Sequence, residues 1–390
     1  ADVTHCPVVE ASALVSTTGV TLFIAPNKLP DHLIKAFTKA QVTVAEYDTL
    51  TDYLTDLPPQ TQLQLCPKTT CIQVYDALPP QVNVRLQNSI VADLKSQKNA
   101  TELAGEQTAL QRDGVAMVRF AKWLSEYYAD PNAAPMTELT AETKLAALRS
   151  SLPGFLDFSF RTIAGYGPNG AKMHYAAEAK TTATIGRDSF FLVDSGAQFF
   201  EGTTDITRSF HFGSPTPLQK HDYTLVLKAM INLAMAKFKA GSLGIQLDTY
   251  ARSIMWQQGM DYGCGTGHGV GICLNVHEGP QSISPKLINA PLKLGMLVTN
   301  EPGVYRAGVH GVRIENIMSV IAAETNEFGC FYQFNTMTLA PIDNTAIDTQ
   351  HLSPTEINWL NQYHQQVLTA LSPSLTEAEQ AWLTQACAPI

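Results

Sequence analysis

Five side chains in the second half of the chain limit how it can fold. Asp194 stands in Leu192-Val-Asp-Ser-Gly196, Asp205 in Gly202-Thr-Thr-Asp-Ile-Thr-Arg208, and His268 in Gly265-Thr-Gly-His-Gly-Val-Gly271. Glu301 follows in Thr299-Asn-Glu-Pro-Gly303 and Glu315 in Gly311-Val-Arg-Ile-Glu-Asn316. Ser189 to Gln198 and Thr203 to Phe212 read as paired strands turning near Glu201-Gly202, which sets Asp194 close to opposite Asp205. Glu301 and Glu315 repeat the arrangement around the Tyr305 to His310 loop. Two bare carboxylates so placed repel each other, and a cation between them turns the repulsion into binding. Four carboxylates and one imidazole suit two divalent cations, the equipment of a two-metal hydrolase. Oxygen-rich ligation with one nitrogen favours manganese, with cobalt or zinc as alternatives.

Other chemistries lack their signatures. The glycines around His268 fit no G-x-G-x-x-G, and no Lys-Ser or Lys-Thr follows, so a nucleotide cradle is not supported. They read instead as space for substrate and metal beside His268. His277-Glu-Gly-Pro280 has Gln281 where a zinc-protease motif needs its second histidine, and there is no G-x-S-x-G elbow. A formal charge of −9 without a dense basic stripe argues against nucleic acid. No apolar run reaches the roughly 18 residues that span a bilayer. The seven cysteines are odd in number and dispersed; Cys66 and Cys71 could pair, but free thiols in a reducing cytoplasm are the preferred reading. No signal peptide is visible, and the missing initial Met points to a chain that begins inside a longer product.

With 390 residues the chain has room for two or three domains. Residues 1–95 read as a small α/β domain: a strand at Val20–Ala25, a helix at Asp31–Ala40 capped by Asp31, and strands at Leu63–Leu65 and Cys71–Val74. A long helix starts after Asn99, with Glu102 completing its cap, and a second runs from Ala141 to Arg149. Further expectations are strands at Phe158–Ala164, Gly271–Val276, Met296–Thr299 and Val312–Val320, and helices at Pro217–Lys239 and Leu247–Gln258. Two helices, Pro354–Leu371 and Leu375–Ala386, close the chain.

Together with Lys98-Asn-Ala-Thr-Glu102, Lys172-Met-His-Tyr175, Cys264 to Pro280, Leu339-Ala-Pro-Ile342 and Trp359-Leu-Asn-Gln-Tyr363, these motifs resemble the aminopeptidase P (Xaa-Pro aminopeptidase) branch of the pita-bread metallopeptidases. The resemblance implies an α+β chain in three parts. They are a creatinase/prolidase-like domain over 1–95, a pita-bread catalytic domain over 96–325, and a helical C-terminal extension over 326–390. The family's first domain is missing, and a homodimer is admitted. The implied partner is a peptide with proline in second position, cleaved by a hydroxide bridging two cations in a cytoplasmic enzyme. Asp194 would hold one metal, His268 and Glu301 the other, with Asp205 and Glu315 bridging. Glu301 would also move the proton, and His174 and His277 would lie by the scissile carbonyl and the proline. Arg313 and Tyr305 would orient the carboxylates. His310 is a further candidate to touch substrate, whereas His211 reads as structural. Cys264 departs from the pattern, which has a histidine there that shapes the proline pocket. The rivals are a prolidase restricted to Xaa-Pro dipeptides and a non-catalytic pita-bread binding module.

Overall fold

The computed structural model describes residues 2–130 and 132–390. The chain forms two compact units, Ala1–Leu94 and Lys95–Ile390. In the first, β1 (Ala11–Ser16), β2 (Gly19–Ile24) and β3 (Val42–Ala45) make one sheet, the last pair parallel across helix α1 (Asp31–Lys39). After α2 (Leu50–Thr55), strands β4 (Gln62–Leu65) and β5 (Asn83–Leu86) pair in parallel across α3 (Ile72–Asp76), and α4 (Ile90–Ser96) follows. Two expectations fail here. Cys71–Val74 is not a strand: Cys71 is the extended residue before α3, and its apolar neighbours start a helix. Asp31 does not cap α1 but opens its first turn, where a carboxylate still suits the helix dipole.

The second unit begins on α5 (Ala100–Ala129), whose start is sealed as the sequence indicates. Asn99 accepts from the N–H groups of Thr101 and Glu102, and Glu102 accepts from the N–H of Asn99. Helix α6 (Glu138–Ser150) is tied to it by a buried, two-bonded ion pair, Arg149 to Asp113 at 2.6 and 2.9 Å. Strands β6 (Phe155–Phe158), β7 (Ile163–Tyr166), β8 (Phe190–Ser195), β9 (Ala197–Phe199) and β10 (Ile206–His211) form two small sheets. One has the order β10-β8-β7 and the other pairs β6 with β9. The single strand expected over Phe158–Ala164 is thus broken, its two ends feeding different sheets.

Helix α7 (Pro217–Ala234) stops before the expected Lys239. Lys237-Phe238-Lys239 alternates exposed, buried, exposed and becomes strand β11, because pairing with another strand suits that period better than another helical turn. Helix α8 (Gly244–Trp256) leads to the short pair β12 (Gly267–His268) and β13 (Ser282–Ile283). The expected strand over Gly271–Val276 does not form. Cys273 has φ of +53° and the chain folds back, Gly271 N–H to Asn275 carbonyl at 3.0 Å. Then come β14 (Leu297–Asn300), β15 (Gly303–Arg306), β16 (His310–Arg313), β17 (Asn316–Asn326) and β18 (Gly329–Thr336). The main sheet is ordered β11-β18-β17-β14. Helices α9 (Pro354–Leu371) and α10 (Glu377–Ala386) end the unit.

Helix α7 is the centre of the packing. Tyr223, Val226, Leu227, Met230, Ile231 and Leu233 are all essentially inaccessible, so the helix is apolar around most of its girth, as a helix enclosed on several sides must be. Truncating Met230 to Ala would cost about 2–5 kcal/mol. This rigid interior holds the strand ends that carry the acids. No helix is long and apolar enough to cross a membrane among the described residues.

Candidate active site

The register corrects the first hairpin. Asp194 pairs with Thr207, not with Asp205, because the turn is lengthened by β9 and its bridge from Gln198 to Thr203. Asp205 lies just before β10, offset diagonally from Asp194. The second hairpin is as expected from the sequence: Asn300 pairs with Asn316 and Gly303 with Arg313, so both flanking registers set Glu301 opposite Glu315. Both glutamates lie where the ladder is interrupted, outside named strands.

His268 arrives from β12. Gly267 makes this possible, since a Cβ there would lie 1.9 Å from the carbonyl oxygen of Thr299. Gly269 is similarly pressed against the carbonyl of Glu278. These glycines make room for neighbouring backbone, not for ligand as the sequence suggested. His268 Nδ1 lies 2.9 Å from the carbonyl of Gly269 and so carries the proton. That leaves the Nε2 lone pair facing Asp205 and Glu301, each 3.4 Å away.

Three of the four acids are held by a hydroxyl or guanidinium donor. Thr207 Oγ1 donates to Glu315 at 2.7 Å, and Thr299 Oγ1 donates to Glu301 at 3.0 Å. Arg313 is buried and spends its guanidinium on Asp194 at 2.5 Å, Thr207 at 3.0 Å and the Tyr305 hydroxyl at 2.8 Å. Arg208 makes no ion pair among the described residues. Its donors go to the carbonyls of Thr207, Glu315, Ala340 and Pro341, to Asn316 and to the Tyr363 hydroxyl. It thereby fixes the backbone at Glu315 to the C-terminal segment. Glu278, next to His277, is clamped by Lys95 at 2.8 Å and by buried Lys98 at 3.4 Å.

Asp205 is 3% exposed and Glu315 1%. Burial, then the neighbouring carboxylates, holds both carboxyls well above their usual range, and burial raises Glu301 as well. One arginine cannot balance four acids in this space. Oδ1 of Asp194 and Oδ1 of Asp205 are buried with no hydrogen-bond partner among the described residues, a cost of about 1–3 kcal/mol each if nothing filled the gap. Ligand atoms of Asp205, His268 and Glu315 lie within 4.8 Å of one another. Unpaired buried oxygens, a free imidazole lone pair and surplus negative charge fit a pair of divalent cations.

The acids floor a cavity of about 300 Å³. Ten of the residues singled out in the sequence line it: Asp194, Asp205, His268, Glu301, Glu315, His174, His277, Cys264, Tyr305 and Arg313. The ring of His277 stands edge-to-face on His268 at 4.2 Å. Burial and the neighbouring His268 press its pKa down to about 4, so it is neutral. Burial, then Glu301, pushes the Cys264 thiol up to about 11. His310 turns away to bond Asp222 at 2.8 Å and does not line the cavity. His211 is buried against Phe190. Sequence reading missed Phe160, Arg161, Ile163, Met173, Tyr175 and Ala176 on the wall. Their neighbourhood to His174 was the signal available.

Comparison with known proteins agrees with this geometry. The model of metallopeptidase family M24 matches residues 105–322, its C-terminal region 330–390, and the creatinase/prolidase N-terminal domain 1–102. Aminopeptidase P1 of Lotus japonicus is 38% identical over all of this chain and 69% of its own length. A probable Xaa-Pro aminopeptidase P of Coprinopsis cinerea is 38% identical, with 65% of it covered. The crystal structure of an X-prolyl aminopeptidase from Caenorhabditis elegans, described as a cytosolic enzyme with a di-nuclear active site, matches the whole chain. Its TM-score is 0.93 at 32% identity, with 65% of that chain covered. The chain spans about two thirds of the length of these relatives. It has their α+β pita-bread architecture, and it belongs to metallopeptidase family M24.

Proposed function

We propose that this chain is a metal-dependent aminopeptidase that hydrolyses the bond between an N-terminal residue and a following proline. The observation that carries the reading is the pair of unpartnered, buried aspartate oxygens beside a histidine lone pair, all on one cavity floor. Asp194 would hold one cation, His268 and Glu301 the other, with Asp205 and Glu315 shared. Manganese is the first choice, with cobalt or zinc as alternatives. Bound there, two divalent cations supply Lewis-acid activation of a water nucleophile and of the scissile carbonyl.

The remaining chemistry falls to the chain's own groups. A free, unprotonated α-amine held beside Asp194 would fix the cut one residue from the N-terminus. Glu301 accepts a proton from the attacking water and passes it to the leaving nitrogen. Neutral His277, or His174, donates a hydrogen bond to the developing oxyanion. Proline's imide nitrogen has no N–H, so a pocket without an acceptor at that point accommodates it. Tyr305 and Cys264 present a largely apolar wall to the ring. A reducing, cytosolic setting agrees with the seven free thiols among the described residues.

The test is hydrolysis of an Xaa-Pro-Xaa tripeptide after chelation and return of manganese, cobalt or zinc. Activity restored by one of them supports the reading. Cleavage of Gly-Pro alone would favour a prolidase. Two metal ions per chain in metal analysis would exclude a purely non-catalytic module, and none would favour it.

A further inference from the structure

The wall of the cavity carries one cation that the proposed chemistry leaves unused. Arg161 lies on the connection between β6 and β7, is exposed, and lines the cavity with His174. Its Nη2 donates to the carbonyl of Ala177 at 2.9 Å, which fastens the guanidinium to the segment that carries His174. It forms no ion pair among the described residues. Glu142, the acid whose ionisation it influences, is itself half-buried and keeps an oxygen without a hydrogen-bond partner. Arg313, the other arginine of the cavity, is buried and committed to Asp194 and Tyr305.

We infer that Arg161 is a specificity-determining residue that recognises a carboxylate downstream of the scissile bond, so that short peptides with a free C-terminus are preferred. The inference rests on the aminopeptidase reading of the site and names a substrate class within it. A short peptide is a dipole, with its amine positive and its carboxylate negative. The amine end is held at the floor, where the acids and the cations they would carry sit, and an exposed guanidinium with no ion pair among the described residues stands on the wall. With the amine end drawn to the floor, the chain runs outward. A tripeptide spans about 10 Å, which carries its carboxylate from the floor toward the wall that bears Arg161. A guanidinium with its remaining N–H groups free is a fork suited to that group. Glu142 is the internal competitor for the same charge.

The experiment compares kcat/KM for Arg-Pro-Pro with that for its C-terminal amide, using the metal-loaded chain. The native protein should favour the free acid by about fivefold, the size expected of a partly exposed ion pair, and the preference should shrink as salt is raised. Arg161→Gln keeps a donor for Ala177 and should bring the ratio close to one. Arg161→Lys keeps the charge and should retain part of the preference. Equal rates for acid and amide in the native protein, or an unchanged ratio in Arg161→Gln, would overturn the inference. If neither peptide is cleaved, it is the aminopeptidase reading that fails. Calorimetric binding of the same two peptides then reads the carboxylate preference directly, and equal affinities would overturn it.

Discussion

Thr207 offers the sharpest test of how the acidic floor is held. Its hydroxyl donates to Glu315 at 2.7 Å and accepts from Arg313 Nε at 3.0 Å, and the residue is fully buried. Thr207→Val keeps the shape and removes both bonds. A buried acceptor on Glu315 and a buried donor on Arg313 are then left without partners, at about 1–3 kcal/mol each. Allowing for partial relaxation, the loss should be about 2–4 kcal/mol. The unit from Lys95 to Ile390 has about 300 residues. Its unfolding entropy, at about 2 cal/mol/K per residue, converts that loss into about 3–6 °C of melting temperature. The measurement is thermal and urea unfolding of the chelated protein, beside manganese titration. Thr207→Ser keeps the hydroxyl and should recover most of both. A Thr207→Val protein within 1 °C of the native one, with unchanged metal affinity, would refute the idea that this hydroxyl organises the floor.

Other outcomes follow from the same contacts. Asp205→Asn should abolish hydrolysis and second-metal binding, yet leave the chelated protein as stable as the native one or more so, since it removes one of several crowded charges; a strongly destabilised chelated variant would contradict this. Arg208→Leu should cost more than about 3 kcal/mol by orphaning the buried carbonyls and Tyr363 that it serves, read as a fall in urea midpoint. His364 is buried, and its pKa is lowered to about 4 by burial and then by Arg208. The unfolded state takes up the proton first, so stability is intact above pH 6.5 and is lost as pH falls toward 4, by about 3 kcal/mol in all. His364→Gln should flatten that part of the profile. Cys264, its thiol held near pH 11, should alkylate at pH 8 far more slowly than exposed Cys71 and Cys330, as peptide mapping by mass spectrometry would show.

The five acid and imidazole positions were legible because each stands in a short motif whose neighbours also have local work to do. Asn99 and Glu102 were legible for the same reason, since capping is a contest among adjacent residues. The Asp194 register was not. A hairpin drawn from sequence alone places the turn midway, whereas β9 leaves the hairpin to pair with β6, and that partner lies some forty residues upstream. Nor could spacing reveal that Gly267 and Gly269 yield to neighbouring backbone, that His310 turns to Asp222, or that Arg161 is fastened beside His174.

The sequence by itself determined which groups were present: four carboxylates and a histidine in short motifs, on or beside strand ends. Tertiary structure alone decided which oxygens stay unpaired, which nitrogen of His268 keeps its lone pair, and which arginine remains free. Those outcomes depend on distances between residues far apart in the chain. Chain order fixes local hydrogen bonding, but the charge balance of a cavity is settled only when separate segments meet.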